Sequence, residues 1–154
     1  MGKQQSPSME DYLERIAMLA KERGVVKVTT LSNALGVKKP SVISALKKLS
    51  DNGLIKHERY GCVELTIEGG EIAEDVLQRH EALGKFLIGI LGVDPDTAWK
   101  DACEMEHFVS PITSKRLAKF VEFVLTCPQG KPEWLKAFDY YLGHGKRREE
   151  YLAR

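Results

Sequence analysis

The sequence predicts a mainly α-helical protein with one small β-hairpin, in which an N-terminal winged helix-turn-helix is followed by an α-helical domain. Apolar residues recur at the helical period of 3.6 residues through most of the 154-residue chain. Glycine and proline residues begin or end these stretches. Only residues 54–66 have the composition of two short strands around a glycine. We expect a winged-helix domain at residues 1–72 and a helical domain at residues 73–154.

The first two predicted helices are bounded by capping residues. Ser8 can cap a helix whose apolar residues follow the 3.6-residue period and which ends at Gly24. Thr30 is predicted to cap a shorter helix that stops at Gly36. The apolar positions of the first helix are Tyr12, Ile16, Leu19 and Ala20.

A third helix and a hairpin complete the predicted first domain. Pro40 suits N1, the first position of a helix that is predicted to end at Asn52. Two short helices joined by a tight turn that contains glycine are typical of a helix-turn-helix. Residues 54–60 and 62–66 can pair around Gly61. We interpret this hairpin as the wing.

The second domain is predicted to be entirely helical. Its first helix carries apolar residues at helical spacing, and Asp94-Pro95 and Ser110-Pro111 are each a capping residue followed by a proline at N1. The predicted helices are Glu68–Leu91, Asp94–Phe108, Ser110–Leu125 and Pro132–Gly143.

The composition excludes several classes of protein. With 43% apolar residues the chain can bury one ordinary core or two small ones. The longest apolar run, Phe86–Leu91, is far shorter than the roughly 20 residues of a membrane-spanning helix. The first eight residues are too polar for a signal peptide, so we expect a cytoplasmic protein with no membrane partner. The three cysteines are predicted to be free thiols, because their number is odd and they are widely spaced.

Positive charge is concentrated in the first part of the chain, where residues 1–62 carry eleven Lys or Arg against six Asp or Glu. On the third helix Val42, Leu46 and Leu49 are predicted to face inward, which leaves small hydroxyls and lysines outside. Such a face can bind nucleic-acid phosphates, although it is also compatible with a merely solvated surface. The candidate DNA-binding residues are Lys38, Lys39, Pro40, Ser41, Ser44, Lys47, Lys48, and His57 and Arg59 in the wing.

Potential metal ligands occur at helical spacing. Cys103, Glu106 and His107 would share one face of a helix, which makes them half of a shell for a transition metal. Asp11 and Glu14 are also three residues apart, and His80 lies in the long helix. A mixture of thiolate, imidazole and carboxylate favours a divalent first-row metal. A free cysteine is also commonly a small buried hydrophobe, so this pattern alone leaves a purely structural role open.

An ordered series of motifs across residues 8–125 resembles the iron- and manganese-dependent repressors typified by the diphtheria toxin repressor and the manganese transport regulator. The motifs are Ser8-Met9-Glu10-Asp11-Tyr12-Leu13-Glu14, Pro40-Ser41-Val42, Leu46-Lys47-Lys48-Leu49, Gly53-Leu54-Ile55, Leu65-Thr66, Arg79-His80 and Ala102-Cys103-Glu104-Met105-Glu106-His107. The resemblance implies a transcriptional repressor in which a winged helix precedes a helical dimerisation domain. It also implies a homodimer that binds double-stranded operator DNA when loaded with Fe(II) or Mn(II), and that controls metal-uptake or homeostasis genes. Carried over to this chain, the metal shell comprises Asp11, Glu14, His80, Cys103, Glu106 and His107.

The chain departs from this pattern in several places. Cys103 stands where iron-type members have cysteine and manganese-type members have a carboxylate, so the predicted shell is a hybrid. Gly84 and Trp99 replace acidic and histidine ligands of an ancillary site in iron-type relatives, so we expect that site to be incomplete. The chain is expected to resemble the short members without an SH3-like third domain.

Two other functions are compatible with parts of the sequence. A small metallohydrolase could use Glu104 or Glu106 as a base beside a zinc ion, but the chain has no catalytic zinc motif such as H-E-x-x-H. A winged-helix regulator without metal control would use the same residues only as core and surface.

Overall fold

The computed structural model describes residues 8–57 and 61–148, and of His57 only the backbone. Within these ranges the chain forms seven helices and three short strands, which confirms the predicted fold class. The chain divides into two units between Gln78 and Arg79, inside the long fourth helix. The elements are α1 (Met9–Arg23), β1 (Val26–Lys27), α2 (Val28–Leu35), α3 (Lys39–Asp51), β2 (Ile55–His57), β3 (Cys62–Leu65), α4 (Ile67–Gly89), α5 (Pro95–Met105), α6 (Pro111–Leu125) and α7 (Glu133–His144).

Helix α1 has the predicted bounds, and its N-terminus is closed by a capping box. The hydroxyl of Ser8 accepts a hydrogen bond from the amide of Asp11 at 3.1 Å. The carboxylate of Asp11 accepts one in return from the amide of Ser8. At the other end Gly24 has a φ of +74° and its amide bonds the carbonyl of Ala20, a backbone conformation that favours glycine.

The predicted start of α2 at Thr30 is wrong. The helix begins at Val28, directly after the short strand β1, which the sequence analysis missed. Strand β1 pairs with β3 through Val26 opposite Val63. This long-range pairing fixes where the extended chain ends, so Thr30 lies inside the helix. Gly36 ends α2 in the left-handed conformation, as predicted.

Helix α3 begins at Lys39, so Pro40 occupies its second position rather than N1. The extended residue Lys38 is the N-cap, and the helix ends at Asp51 with Asn52 as its C-cap, one residue before the predicted end. The turn from α2 is closed by the hydroxyl of Ser32, which donates to the carbonyl of Val37 at 2.6 Å.

The predicted hairpin is confirmed and belongs to a slightly larger sheet. Strands β2 and β3 are antiparallel, with Ile55 opposite Leu65 and the backbone of His57 opposite Val63. Because β1 joins the other edge of β3, the strand order is β1-β3-β2. Arg59, a predicted DNA contact, lies outside the described residues.

The first unit has one continuous core. Its buried members are Tyr12, Leu13, Ile16, Leu19, Val26, Leu31, Val42, Leu46, Leu49, Ile55, Val63 and Ala73. The beginning of α4 is fastened to this unit by Thr66, whose hydroxyl donates to the carbonyl of Gly53 at 2.8 Å and accepts from the amide of Gly69 at 3.1 Å. A Cβ atom at Gly69 would overlap the backbone carbonyl of Leu54, so only glycine permits this close approach.

The second unit contains the rest of α4 and the three helices that follow. Asp94 and Ser110 cap α5 and α6 as predicted. Three predicted helix ends are wrong: α4 ends at Gly89 rather than Leu91, α5 at Met105 rather than Phe108, and α7 at His144 rather than Gly143.

The end of α7 shows why a glycine alone did not mark a helix end. Gly143 has helical backbone, and the chain leaves the helix at Gly145, which has a φ of +67°. Buried side chains of this unit form two clusters, one around Leu83, Leu87, Ala98 and Ala102 and one around Ile90, Val124 and Leu135. No helix in the described ranges combines the length and apolar character that crossing a bilayer requires.

Candidate metal centre and nucleic-acid interface

In the first unit the predicted ligands Asp11 and Glu14 lie three residues apart on α1. Asp11 is half-buried, and Glu14 is 7% exposed. Burial of a carboxylate is costly unless a cation or a hydrogen-bond donor compensates its charge. Burial raises the pKa of the neighbouring Tyr12 phenol, and the negative charge of Asp11 raises it further. The N-terminal half of α1 therefore carries negative charge next to the buried core of the first unit.

In the second unit Glu106 lies between two imidazoles. Its side chain is completely buried, at 0% exposure. Its Oε2 is 2.8 Å from Nδ1 of His80, and its Oε1 is 3.5 Å from Nε2 of His107. The backbone carbonyl of Glu106 accepts a hydrogen bond from the guanidinium of Arg79 at 3.1 Å. The structure thus brings together three of the four predicted ligands of this unit.

Within the described residues, one oxygen of this buried carboxylate has no hydrogen-bond donor. Among the described residues no donor satisfies Oε1 of Glu106, which is inaccessible to solvent. Buried polar atoms of native proteins are nearly always satisfied by protein, water or an ion. A carboxylate flanked by two imidazoles is a donor set for divalent first-row metals. The residues present therefore fit a divalent cation.

The fourth predicted ligand of this unit is placed differently. Cys103 is an exposed residue of α5. In the described part of the chain, no group of three or more potential ligand atoms within 4.8 Å of one another includes its sulfur. The helix ends at Met105, and Glu106 and His107 lie in the turn that follows it, so the three residues do not share one regular helix.

The contact made by Arg79 was not predicted from the sequence. Its partner is a backbone carbonyl 27 residues away along the chain. Such a contact leaves no trace in residue type or spacing, although Arg79 directly precedes a predicted ligand.

The candidate DNA-binding residues of α3 and its N-terminus are all exposed. Val42, Leu46 and Leu49 are fully buried, which confirms the predicted inward face. The outward residues are Lys38, Lys39, Pro40, Ser41, Ser44, Lys47 and Lys48. Ile43 lies among them and is 53% exposed. Ile43 was not predicted from the sequence, because an aliphatic side chain gives no signal for a contact with phosphate.

Two family models match the chain in succession. The model described as iron dependent repressor, N-terminal DNA binding domain, matches residues 4–63. The model described as iron dependent repressor, metal binding and dimerisation domain, matches residues 66–135.

Individual proteins are similar over most of the chain. An uncharacterised HTH-type transcriptional regulator of Methanocaldococcus jannaschii is 39% identical over 76% of this chain and 94% of that protein. The HTH-type transcriptional regulator MntR of Shouchella clausii is 38% identical over 77% of this chain and 82% of that protein. The solved structure of a manganese-dependent transcriptional repressor in complex with manganese is 31% identical, with a TM-score of 0.69, and the match covers 81% of this chain but 56% of that one.

Proposed function

The chain belongs to the iron-dependent repressor family, whose members are metal-dependent transcriptional regulators and not enzymes, and we propose that it represses transcription by binding operator DNA when a divalent ion occupies the site around Glu106. The DNA-binding domain of the family covers the first part of this chain, and the metal-binding and dimerisation domain covers the second. Divalent metal, DNA and a second copy of the chain are the partners that follow from this membership.

The observation that supports the metal site most directly is the environment of Glu106. The buried carboxylate has one oxygen without a donor among the described residues and an imidazole on each side. A divalent cation would neutralise the charge and satisfy that oxygen. When bound, the ion would supply positive charge beside Glu106, and His80, His107 and Glu106 would have to be deprotonated at the atoms that hold it.

We propose that the ion is also held by ligands from α1. Carboxylate ligands suit manganese, and a mixture of imidazole and carboxylate ligands suits iron. Asp11 and Glu14 offer two further carboxylates, and Glu14 is buried. With Cys103 the proposed shell is Asp11, Glu14, His80, Cys103, Glu106 and His107. Satisfying both sets of ligands at once would couple ion binding to the placement of the DNA-reading helix.

We propose Fe(II) or Mn(II) as the ion. Imidazole and carboxylate groups, which are five of the six proposed ligands, suit both. The solved relative that contains manganese is a manganese-dependent repressor, which supports Mn(II) as one candidate. We also propose that the regulated genes serve metal uptake or homeostasis.

The proposed DNA contacts follow the exposed face of α3. Lys38, Lys39, Lys47 and Lys48 would bind phosphates, and Ser41 and Ser44 would approach the groove beside Pro40. Ile43 is added because an exposed aliphatic side chain on a reading helix can pack against the methyl group of thymine. His57 and Arg59 would contact phosphate from the wing. A dimer presents two such helices, and half-sites on one face of B-DNA lie about 34–36 Å apart.

The experiment that tests this function measures the affinity of the purified chain for fragments of its genome with Mn(II), with Fe(II) under anaerobic conditions, and with a chelator. We expect the protein with metal to bind DNA at concentrations where the protein with chelator does not. Equal affinity with metal and with chelator would contradict the proposal.

A pair of matched variants connects this effect to the site. Glu106→Gln keeps the shape of the buried side chain but removes its charge, so it should abolish metal-dependent DNA binding. Glu104→Gln makes the same chemical change on an exposed residue two positions earlier and should bind like the unmodified protein. Metal content by mass spectrometry shows whether the defect lies at the metal step.

A further inference from the structure

The side of His80 that faces α5 is covered by an aromatic ring. The indole of Trp99 stacks on the imidazole with ring centroids 5.2 Å apart and an interplanar angle of 22°. Offset stacking at this separation is a favourable arrangement of aromatic rings. His80 therefore has the carboxylate of Glu106 at its Nδ1, 2.8 Å away, and an indole against its face.

Space for this indole is provided by Gly84. Gly84 follows His80 by one turn of α4, so both residues lie on the same side of the helix. A Cβ atom added to Gly84 would overlap three ring atoms of Trp99. Any larger residue at position 84 would push the indole away from the imidazole. Gly84 and Trp99 therefore pack as a pair.

Neither Trp99 nor Gly84 can bind the metal through its own side chain. Indole offers a single N–H donor and no lone pair for a metal, and glycine has no side chain. The indole restricts rotation of the imidazole on one side, while the hydrogen bond to Glu106 fixes the orientation of the ring in its own plane. Groups that orient a metal-binding histidine commonly change metal affinity by 10–100-fold when they are removed.

On the basis of the proposed function, in which His80 binds the ion, we propose that Trp99 is a positioning residue. Its indole holds the His80 imidazole in place for the metal, and Gly84 is required because it leaves room for the indole. The chain thus orients this histidine through aromatic packing on its face and a carboxylate at its Nδ1.

The stacking is tested first without metal. In proton–nitrogen NMR spectra of the histidine rings, the ring current of Trp99 should shift the His80 ring protons upfield. The His80 signal is assigned as the one that disappears in the His80→Gln variant. Trp99→Leu should remove that shift, whereas Trp99→Phe should retain part of it. A His80 signal that is the same in the unmodified protein and in Trp99→Leu would overturn the proposal, whatever the protein does with metal.

Metal affinity is then measured with Co(II), by titration calorimetry and by the visible absorption of the bound ion. We expect Trp99→Leu to weaken Co(II) binding by about tenfold or more, and Trp99→Phe to remain within about threefold of the unmodified protein, since positioning groups act at this scale. Trp134→Leu is the control, because this other tryptophan is 50% exposed and lies tilted against Phe120 rather than against a predicted ligand. Unchanged affinity in Trp99→Leu, or equal losses in the Leu and Phe variants, would overturn the proposal.

Glycine variants of α4 provide an independent route. Gly84→Ala should weaken Co(II) binding as Trp99→Leu does, whereas Gly70→Ala should not, because a Cβ atom there meets open space. In a Trp99→Ala background Gly84→Ala should cause no further loss, since the indole it displaces is gone. Additive losses would overturn the proposal. Failure of the unmodified protein to bind any divalent metal would contradict the proposed function, which the metal-free spectra distinguish from a failure of this inference.

Discussion

Among single residues, Gly69 and Gly70 are neighbours in the first turn of α4 with opposite surroundings. A Cβ atom at Gly69 would overlap the backbone carbonyl of Leu54, which cannot rotate away as a side chain would. We expect Gly69→Ala to lower the free energy of unfolding by about 1–3 kcal/mol, the usual cost of overpacking. Urea denaturation followed by circular dichroism measures this change.

The matched control for that variant is Gly70→Ala. Nothing lies within 4 Å of the Cβ position at Gly70, and alanine is favoured over glycine inside a helix by about 0.5–1 kcal/mol. We therefore expect unchanged or slightly increased stability. A loss at both positions would show that this turn does not tolerate side chains in general, and the specific contact with Leu54 would then be the wrong explanation.

At the scale of elements, α5 depends on a charged cap. The hydrogen bond from the amide of Thr97 to Asp94 lowers the pKa of the Asp94 carboxyl below its ordinary value. The Asp94 carboxyl thus binds a proton less tightly in the folded state than in the unfolded state. This contribution to stability is complete above the pKa of the unfolded chain and is lost as the pH falls through the lower pKa of the folded chain.

This linkage gives a prediction for acid unfolding. Asparagine caps helices about as well as aspartate but does not titrate. Between about pH 5 and pH 2, around the ordinary aspartate pKa of about 3.9, the unmodified protein should lose more stability than Asp94→Asn. Thermal unfolding across this range measures the difference, and parallel curves for the two proteins would contradict it.

The elements also show how far the sequence predicts the fold. Helix ends were predicted correctly where the signal is local, as at Ser8, Asp94 and Ser110, each of which bonds an amide within three residues. The start of α2 was predicted wrongly because a distant residue decides it. Strand β1 exists because Val26 pairs with Val63, and that partner cannot be recognised in a window around Thr30.

For the molecule as a whole, charge is unevenly distributed, with a net charge of +5 over residues 1–62. If the lysines of α3 bind phosphates, DNA affinity must fall steeply with salt. Lys47→Ala should reduce the slope of log affinity against log salt concentration by about 1. Lys115→Ala, an exposed lysine of α6, should leave the slope unchanged. Fluorescence anisotropy at several salt concentrations checks both, and an unaltered slope in Lys47→Ala would remove that residue from the interface.

The candidate site could be predicted from the sequence only through its residue types and order. His80 and Glu106 are 26 residues apart, and no periodicity indicates that their side chains meet at 2.8 Å. The resemblance to a family supplied that association. Neither the resemblance nor the spacing indicated the stacking of Trp99 on His80, because packing of a ring over a helix depends on the angle between α4 and α5.

The contact between Gly84 and Trp99 also couples these two positions in evolution. While the indole lies on the imidazole, position 84 has room only for a hydrogen atom as its side chain. In relatives with a larger residue at the equivalent of position 84, we therefore expect a smaller side chain at the equivalent of Trp99, so the two positions should covary.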